Sequence, residues 1–317
     1  MADPPKFLTR DRGRLATSPD AGAATNRELP AMKITAAAIQ MASDPLDVPG
    51  NLARADALLR QAHDAGAALA VLPEMFNTGY GLFPDYGPSA EGADGPTLRH
   101  LAMRAREWGM AIAGGFVESD GRHHYDSIAF ATPDGDLRIY RKRNLVFWER
   151  FRFKPGRDPL IVATPFGRIG FAVCADMIYR KVWDDYRGRI DLAIVCSAWP
   201  DFADRETGRK HWLFGHVGPL SGAIPGKVAV DLGIPVVFAN QCGQTETFIP
   251  ILRTRITDRF AGLSSVSDGL HAPAVVAGVG EQVLLSTLTL HPQQGPRTWR
   301  STSSSAPAVS SSGSARP

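Results

Sequence analysis

The stretch Arg168-Ile169-Gly170-Phe171-Ala172-Val173-Cys174-Ala175-Asp176 decides how this chain is read. Residues 169–173 form an apolar run with a small residue, Gly170 or Ala172, at every second place. The run is short enough for a strand and too continuous to keep one face in water, the pattern of a strand buried on both sides. It stops at Cys174, and the chain then turns polar and charged through Arg180, Lys181, Asp184 and Asp185. Parallel α/β folds place reactive groups just beyond the carboxyl ends of buried strands. Cys174 stands where a nucleophile would stand, although a free cysteine alone is most often a small buried hydrophobe.

Similar runs recur on both sides. Residues 34–40, 67–72 and 110–117 read as buried strands upstream, and residues 191–196 and 234–239 as buried strands downstream. Residues 51–65 carry apolar positions at Leu52, Ala55, Leu58, Leu59 and Ala62, a helical spacing with Asn51 as N-cap and Gly66 as stop. Residues 97–108 also read as helix, and the order βαβαβ predicts a sheet covered by helices on one face. Two hairpins follow, one around Pro133-Asp134-Gly135-Asp136 and one around Pro165-Phe166-Gly167, whose second arm delivers Cys174. Residues 207–217 predict a helix, 219–225 a break and 226–232 its resumption. Runs at 261–266, 274–277 and 282–290 predict a closing set of strands. No internal repeat is present. An α/β fold of two mixed sheets packed face to face, with helices outside, buries every one of these runs.

The chain has 317 residues, 44% of them hydrophobic, and a net charge of only +3. That composition supports a sizeable core. Residues 1–31 lack periodicity, and residues 293–317 are rich in Ser, Pro and Ala, so a domain at 32–292 between two disordered extensions is expected. Three cysteines, Cys174, Cys196 and Cys242, make no disulfide framework and point to a reducing cytoplasm. No apolar run approaches the roughly 18 residues of a membrane span, and no secretory leader is expected. No basic stripe is interleaved with aromatics, so nucleic acid is not an expected partner. His123, His124 and His211 have no companions at metal spacing, and no Lys-Ser/Thr follows Gly114-Gly115. Neither a metal nor any other cofactor is expected.

Three more residues stand at strand or hairpin exits. Glu74 follows Leu72-Pro73, Lys142 follows Tyr140-Arg141, and Glu149 lies in Phe147-Trp148-Glu149-Arg150-Phe151. Each has an ordinary reading alone: a solvated strand end, a surface base, an ion-pair partner. Their order with Cys174 changes that. The strings Leu72-Pro73-Glu74-Met75-Phe76 with Thr78-Gly79-Tyr80, Tyr140-Arg141-Lys142 with Phe153-Lys154-Pro155-Gly156, and Phe166-Gly167-Arg168-Ile169-Gly170 leading to Cys174-Ala175-Asp176 resemble the nitrilase superfamily of carbon–nitrogen hydrolases. Ser197-Ala198-Trp199, Pro235-Val236-Val237-Phe238-Ala239-Asn240 and Phe260-Ala261-Gly262-Leu263-Ser264 extend the likeness over about residues 33–290.

The resemblance implies a four-layer αββα sandwich. It implies that Cys174 attacks an amide, carbamoyl or nitrile carbon to form a thioester, a step that splits one hard reaction into two. Glu74 would be the general base and acid, and Lys142 with the backbone N–H of Ala175 would hold the oxyanion. Glu149 would support Lys142 or the substrate. Tyr80, Trp148, Asp176, Trp199 and Asn240 are the expected pocket residues. It also implies a homodimer or higher homo-oligomer. Ala175 stands where the family often has an aromatic residue, and Cys-Ala-Asp leans toward amide or carbamoyl hydrolysis rather than nitrile hydrolysis. A reading from another class is a catalytically silent binding protein on the same fold.

Overall fold

The computed structural model describes residues 31–81, 85–146, 148–201, 218–249, 254–271, 275–292 and 300–301. In chain order, the first part contains β1 (Met32–Gln40), α1 (Val48–Asp64), β2 (Leu69–Val71), α2 (Pro96–Trp108), β3 (Ala111–Ser119), β4 (His124–Ala131) and β5 (Leu137–Arg141). The second part contains β6 (Ile161–Thr164), β7 (Gly167–Val173), α3 (Arg180–Asp184), β8 (Leu192–Ser197), α4 (Leu220–Leu232) and β9 (Val236–Asn240). The last part contains β10 (Gln244–Ile249), β11 (Thr254–Arg259), β12 (Ser265–Ser267), β13 (Val275–Val276), β14 (Gln282–Leu290) and β15 (Arg300–Ser301).

These strands form two mixed sheets and a separate two-stranded ribbon. The first sheet has the order β14-β1-β2-β3-β4-β5, with β1, β2 and β3 parallel and the rest antiparallel. The second has the order β13-β12-β9-β8-β7-β6-β15, with β7, β8 and β9 parallel. Each parallel trio ends at the same kind of place, the carboxyl ends that carry Glu74, Cys174 and Ser197.

Strand periodicity separates the layers. Ala36, Ala38, Leu69, Val71, Ile128 and Phe130 of the first sheet share one apolar cluster with Phe171, Ile194 and Phe238 of the second. The Phe130 and Phe171 rings lie 5.3 Å apart across that interface. The alternate residues Ala37, Ile39, Ala70, Leu72 and Ile112 pack instead against Leu58, Leu59, Leu98 and Leu101 of α1 and α2. The first sheet is buried on both faces, which is why its strands read as unbroken apolar runs. α4 covers the second sheet through Val228 and Ala229. The architecture is the expected αββα sandwich.

Local differences from the sequence reading have physical causes. Asp47, not Asn51, caps α1, accepting from the Gly50 N–H at 3.1 Å. Asn51 is buried inside the first turn, where it ties Asp44 to the Asn77 carbonyl. α4 runs unbroken through Pro225, so the expected interruption at 219–225 does not occur. Pro225 lies on the buried face with Ser221, Val228 and Ala229, and packing there outweighs one lost backbone hydrogen bond. The ribbon of β10 and β11 has no counterpart in the sequence reading. β15 pairs with β6 inside the stretch expected to be a disordered tail. The expected disordered extension at 1–31, apart from residue 31, and the expected helix at 207–217 lie outside the described residues.

One close approach fixes the loop after β2. The Gly115 N–H donates to the Pro73 carbonyl and the Gly115 carbonyl accepts from the Phe76 N–H, at 2.9 and 3.0 Å. A Cβ on Gly115 would stand 2.4 Å from the Glu74 Cα and 2.5 Å from the Met75 nitrogen. Met75 itself has φ of 47°, a left-handed conformation that turns the chain after Glu74. Gly115→Ala is expected to lower stability by about 1–3 kcal/mol and to displace Glu74, read by urea unfolding. Unchanged stability would show that this approach does not hold the loop.

Candidate active site

The loop after β2, the loop after β5 and the interior of β4 meet at Lys142. The Lys142 ammonium is fully buried and donates to Glu74 Oε1 and Glu149 Oε1, each at 2.6 Å. Asp126 Oδ2 lies 3.1 Å from the same Nζ. The backbone holds Lys142 in place from both sides: its N–H donates to the Asp126 carbonyl, and its carbonyl accepts from the Gly156 N–H. A Cβ on Gly156 would lie 2.3 Å from the Arg141 carbonyl oxygen, so the Lys154-Pro155-Gly156 turn needs glycine there.

Glu74 and Glu149 have further partners that aim them. Glu74 Oε2 accepts from the Ala198 N–H at 2.6 Å, and the Glu74 carbonyl accepts from Gln241 Nε2 at 2.8 Å. Glu149 Oε2 accepts from the Val146 N–H at 2.8 Å, and its Oε1 also accepts from the Tyr80 hydroxyl at 2.9 Å. Trp148 Nε1 donates to that hydroxyl at 2.7 Å. A chain of contacts therefore runs Trp148, Tyr80, Glu149, Lys142, Glu74. Oxygens of Glu74, Asp126 and Glu149 lie within 4.8 Å of one another, a spacing a cation uses. The cation among them is the Lys142 ammonium.

Cys174 opens a 3-10 turn directly after β7, with φ of 43°. A left-handed non-glycine residue stores strain, and such residues cluster at functional sites. Asp176 braces the turn. It was expected in the pocket, but its carboxylate is fully buried and accepts from Tyr140 Oη, the N–H groups of Val173, Arg143 and Asn144, and Asn144 Nδ2. Asn240, also expected in the pocket, has the same kind of task. Its side chain accepts from the Trp199 N–H at 2.8 Å and donates to the Gly262 carbonyl at 2.7 Å. Tyr80, Trp148 and Trp199 lie near the site, with Tyr80 9% and Trp199 7% exposed. Cys196 and Cys242 are free and buried, and Cys196 lies close enough to feel the charge of Glu74.

The electrostatics follow from burial and crowding. Burial raises the Cys174 thiol well above its ordinary pKa, and the charge of Glu74 adds to that, while Lys142 opposes. The resting sulfur is a thiol, and it needs a base to become a nucleophile. Burial alone would lower the Lys142 pKa, but the charges of Glu149 and then Glu74 lead the effects that outweigh it, and the ammonium is held charged. Burial raises Glu149, against the pull of Lys142.

Asp126 is the residue the sequence reading missed. It shares parity on β4 with Ile128 and Phe130, both in the inter-sheet core. A charged residue in phase with core positions was the signal that marked it.

The comparisons with known proteins agree with this geometry. The carbon–nitrogen hydrolase family model matches residues 35–263, so the chain belongs to that family. Among curated proteins it is similar to the omega-amidase NIT2 of Bos taurus, 33% identical over 175 residues, 51% of this chain and 61% of that protein. It is also 31% identical to a nitrilase of Pyrococcus abyssi over 150 residues, 46% of this chain and 57% of that protein. The matches thus span less than two thirds of these curated relatives. Among solved structures, a CN-hydrolase superfamily protein of Xanthomonas campestris with an arsenic adduct in its active site has a TM-score of 0.67 and 26% identity, over 81% of this chain and 91% of that one. A Nesterenkonia amidase, with a TM-score of 0.65 at 24% identity over 80% of this chain and 90% of that one, shares the fold.

Asp176→Ala is expected to lower stability by about 3 kcal/mol or more, because several buried donors lose their acceptor together. Thermal or urea unfolding reads it. A loss within about 0.5 kcal/mol, as for an ordinary surface change, would show that Asp176 does not brace the turn.

Proposed function

We propose that this chain is a cysteine-dependent amidohydrolase that cleaves a non-peptide amide or carbamoyl C–N bond of a small molecule through a thioester. The observation that carries the reading is a strained cysteine close enough to feel the charges of a buried carboxylate–ammonium–carboxylate cluster, Glu74, Lys142 and Glu149. Glu74 takes the Cys174 proton as sulfur attacks the carbonyl carbon. Negative charge gathers on the carbonyl oxygen, and Lys142 and the Ala175 N–H stabilise it. Glu74 then returns the proton to the departing nitrogen, so that ammonia or an amine leaves and the acyl group stays on sulfur. Water, deprotonated by Glu74, attacks the thioester carbon, the C–S bond breaks to release the acid, and Glu74 returns the proton to the Cys174 sulfur. Glu149 and Tyr80 keep the Lys142 ammonium in register with Glu74.

The similarity to omega-amidase NIT2 proteins supports a terminal amide as substrate. Nitrile hydrolysis is the second reading, favoured by the similarity to a nitrilase. It uses the same cysteine, and Ala175 and Asp176 beside Cys174 tilt the choice to amides. Exposed Leu220 and Val230 on α4 support self-association through that helix. Three free cysteines support a reducing compartment, and no helix among the described residues is long and apolar enough to cross a membrane.

Ammonia release from paired small amides and nitriles tests the proposal. Amides are expected to turn over faster, and Cys174→Ala is expected to abolish release while the protein still melts cooperatively. Turnover that survives Cys174→Ala sinks the mechanism. Acid formation from nitriles alone reverses the substrate assignment.

A further inference from the structure

The cluster around Lys142 holds three carboxyl groups and one ammonium, all essentially out of contact with water. With every carboxyl ionised, two negative charges would be uncompensated in a dry site. A buried charge without a partner is too costly to persist, so such groups neutralise. Hydrogen-bond geometry says which group does so. Glu74 and Glu149 each accept from Lys142 and from a backbone N–H, as ionised carboxylates do. Asp126 does not: it lies 3.1 Å from the ammonium, but neither of its buried oxygens accepts a hydrogen bond among the described residues. A carboxyl oxygen of Asp126 lies within 4.8 Å of a Glu74 oxygen and of a Glu149 oxygen. Carboxylates crowded this closely in a dry site repel unless one of them carries a proton.

We propose that Asp126 is a positioning residue that carries a proton in the resting site and donates it in a hydrogen bond to Glu74. An ammonium has three N–H donors. Two go to Glu74 and Glu149, and a neutral Asp126 does not claim the third. That N–H is left for the oxyanion of the substrate. Ionised Asp126 would draw the ammonium toward itself and disturb the charge balance on which Glu74 works. This inference rests on the roles proposed for Glu74 and Lys142.

Burial, and then the charges of Glu74 and Glu149, hold the Asp126 proton to higher pH than an ordinary carboxyl, with Lys142 opposing. Every other charged or titratable group around it has a place in this picture. Glu74 follows β2, Lys142 follows β5, Glu149 sits in the loop beyond, and Cys196 on β8 and Tyr86 lie close enough to feel a charge placed on Asp126. Glu118 and Arg141 on the flanking strands pair with each other at 2.6 Å. The sign is that of a raised acid: the proton stays on below the folded-state pKa and leaves as pH rises through it. Activity that depends on neutral Asp126 therefore falls on the alkaline side.

Infrared spectroscopy of the full chain tests this without substrate. The wild type is expected to show the carbonyl band of a protonated carboxylic acid at neutral pH. Carbon-13 labelling of aspartate shifts that band, and it disappears at alkaline pH and in Asp126→Asn. Absence of an aspartate-derived band in the folded wild type overturns the proposal, whether or not any variant folds and whether or not amides are the substrate. On an amide that the wild type turns over, Asp126→Asn is expected to lower kcat/KM about two- to fivefold and Asp126→Ala about 10- to 100-fold. The alkaline limb of Asp126→Asn is expected at higher pH than that of the wild type. Superimposable pH profiles, or a folded Asp126→Asn as impaired as Asp126→Ala, also overturn it.

Discussion

The rest of the site depends on one buried cation. An ammonium taken out of water is expensive unless several acceptors surround it, and removing one partner of such a pair costs about 3–5 kcal/mol. Here the two acceptors come from places far apart in sequence, Glu74 after β2 and Glu149 in the loop after β5, and Asp126 within β4 lies beside them. Lys142 therefore ties the edge of the first sheet to its centre. The same contacts that make burial tolerable also set the spacing of the groups that would act on a substrate. Stability and chemistry share one set of hydrogen bonds, so neither tolerates loose geometry.

The second sheet contributes Cys174, and its design is different. No charge holds the cysteine; a strained turn does. β7 ends in the inter-sheet core, the chain bends left-handed at Cys174, and Asp176 accepts from the Val173 N–H at the turn and from the Arg143 and Asn144 N–H groups of the loop after β5. Tyr140, on the strand that leads to Lys142, donates to the same Asp176 carboxylate at 2.9 Å. The cation and the thiol thus belong to one rigid frame, although they stand on opposite sheets. Preorganisation of this kind is what lets a weakly acidic thiol act without rearrangement of its surroundings.

The strand and helix order is legible because each buried element leaves a clean apolar period. Glu74, Lys142 and Cys174 are legible because each follows such an element and each lies in a recognisable string. What is hard to read is polar groups whose partners are distant. Asp176 follows the cysteine and reads as a pocket residue, yet its donors include Tyr140 and Asn144, which no local pattern connects to it. Asn51 has the composition of a cap but serves a loop 26 residues away. Asp126 reads as one more polar position on an alternating strand until its parity with Ile128 and Phe130 is noticed. Pro225 and Gly226 argue against a helix that tertiary packing nevertheless supports.

The most direct measurement is acid-quenched mass spectrometry during turnover of a small amide, with peptides mapped for acyl adducts. The predicted result is one acyl group, matching the substrate's acid, on the peptide that contains Cys174 and on no peptide with Cys196 or Cys242. An adduct on either of those cysteines, or steady turnover with no acylated cysteine at any quench time, would contradict it.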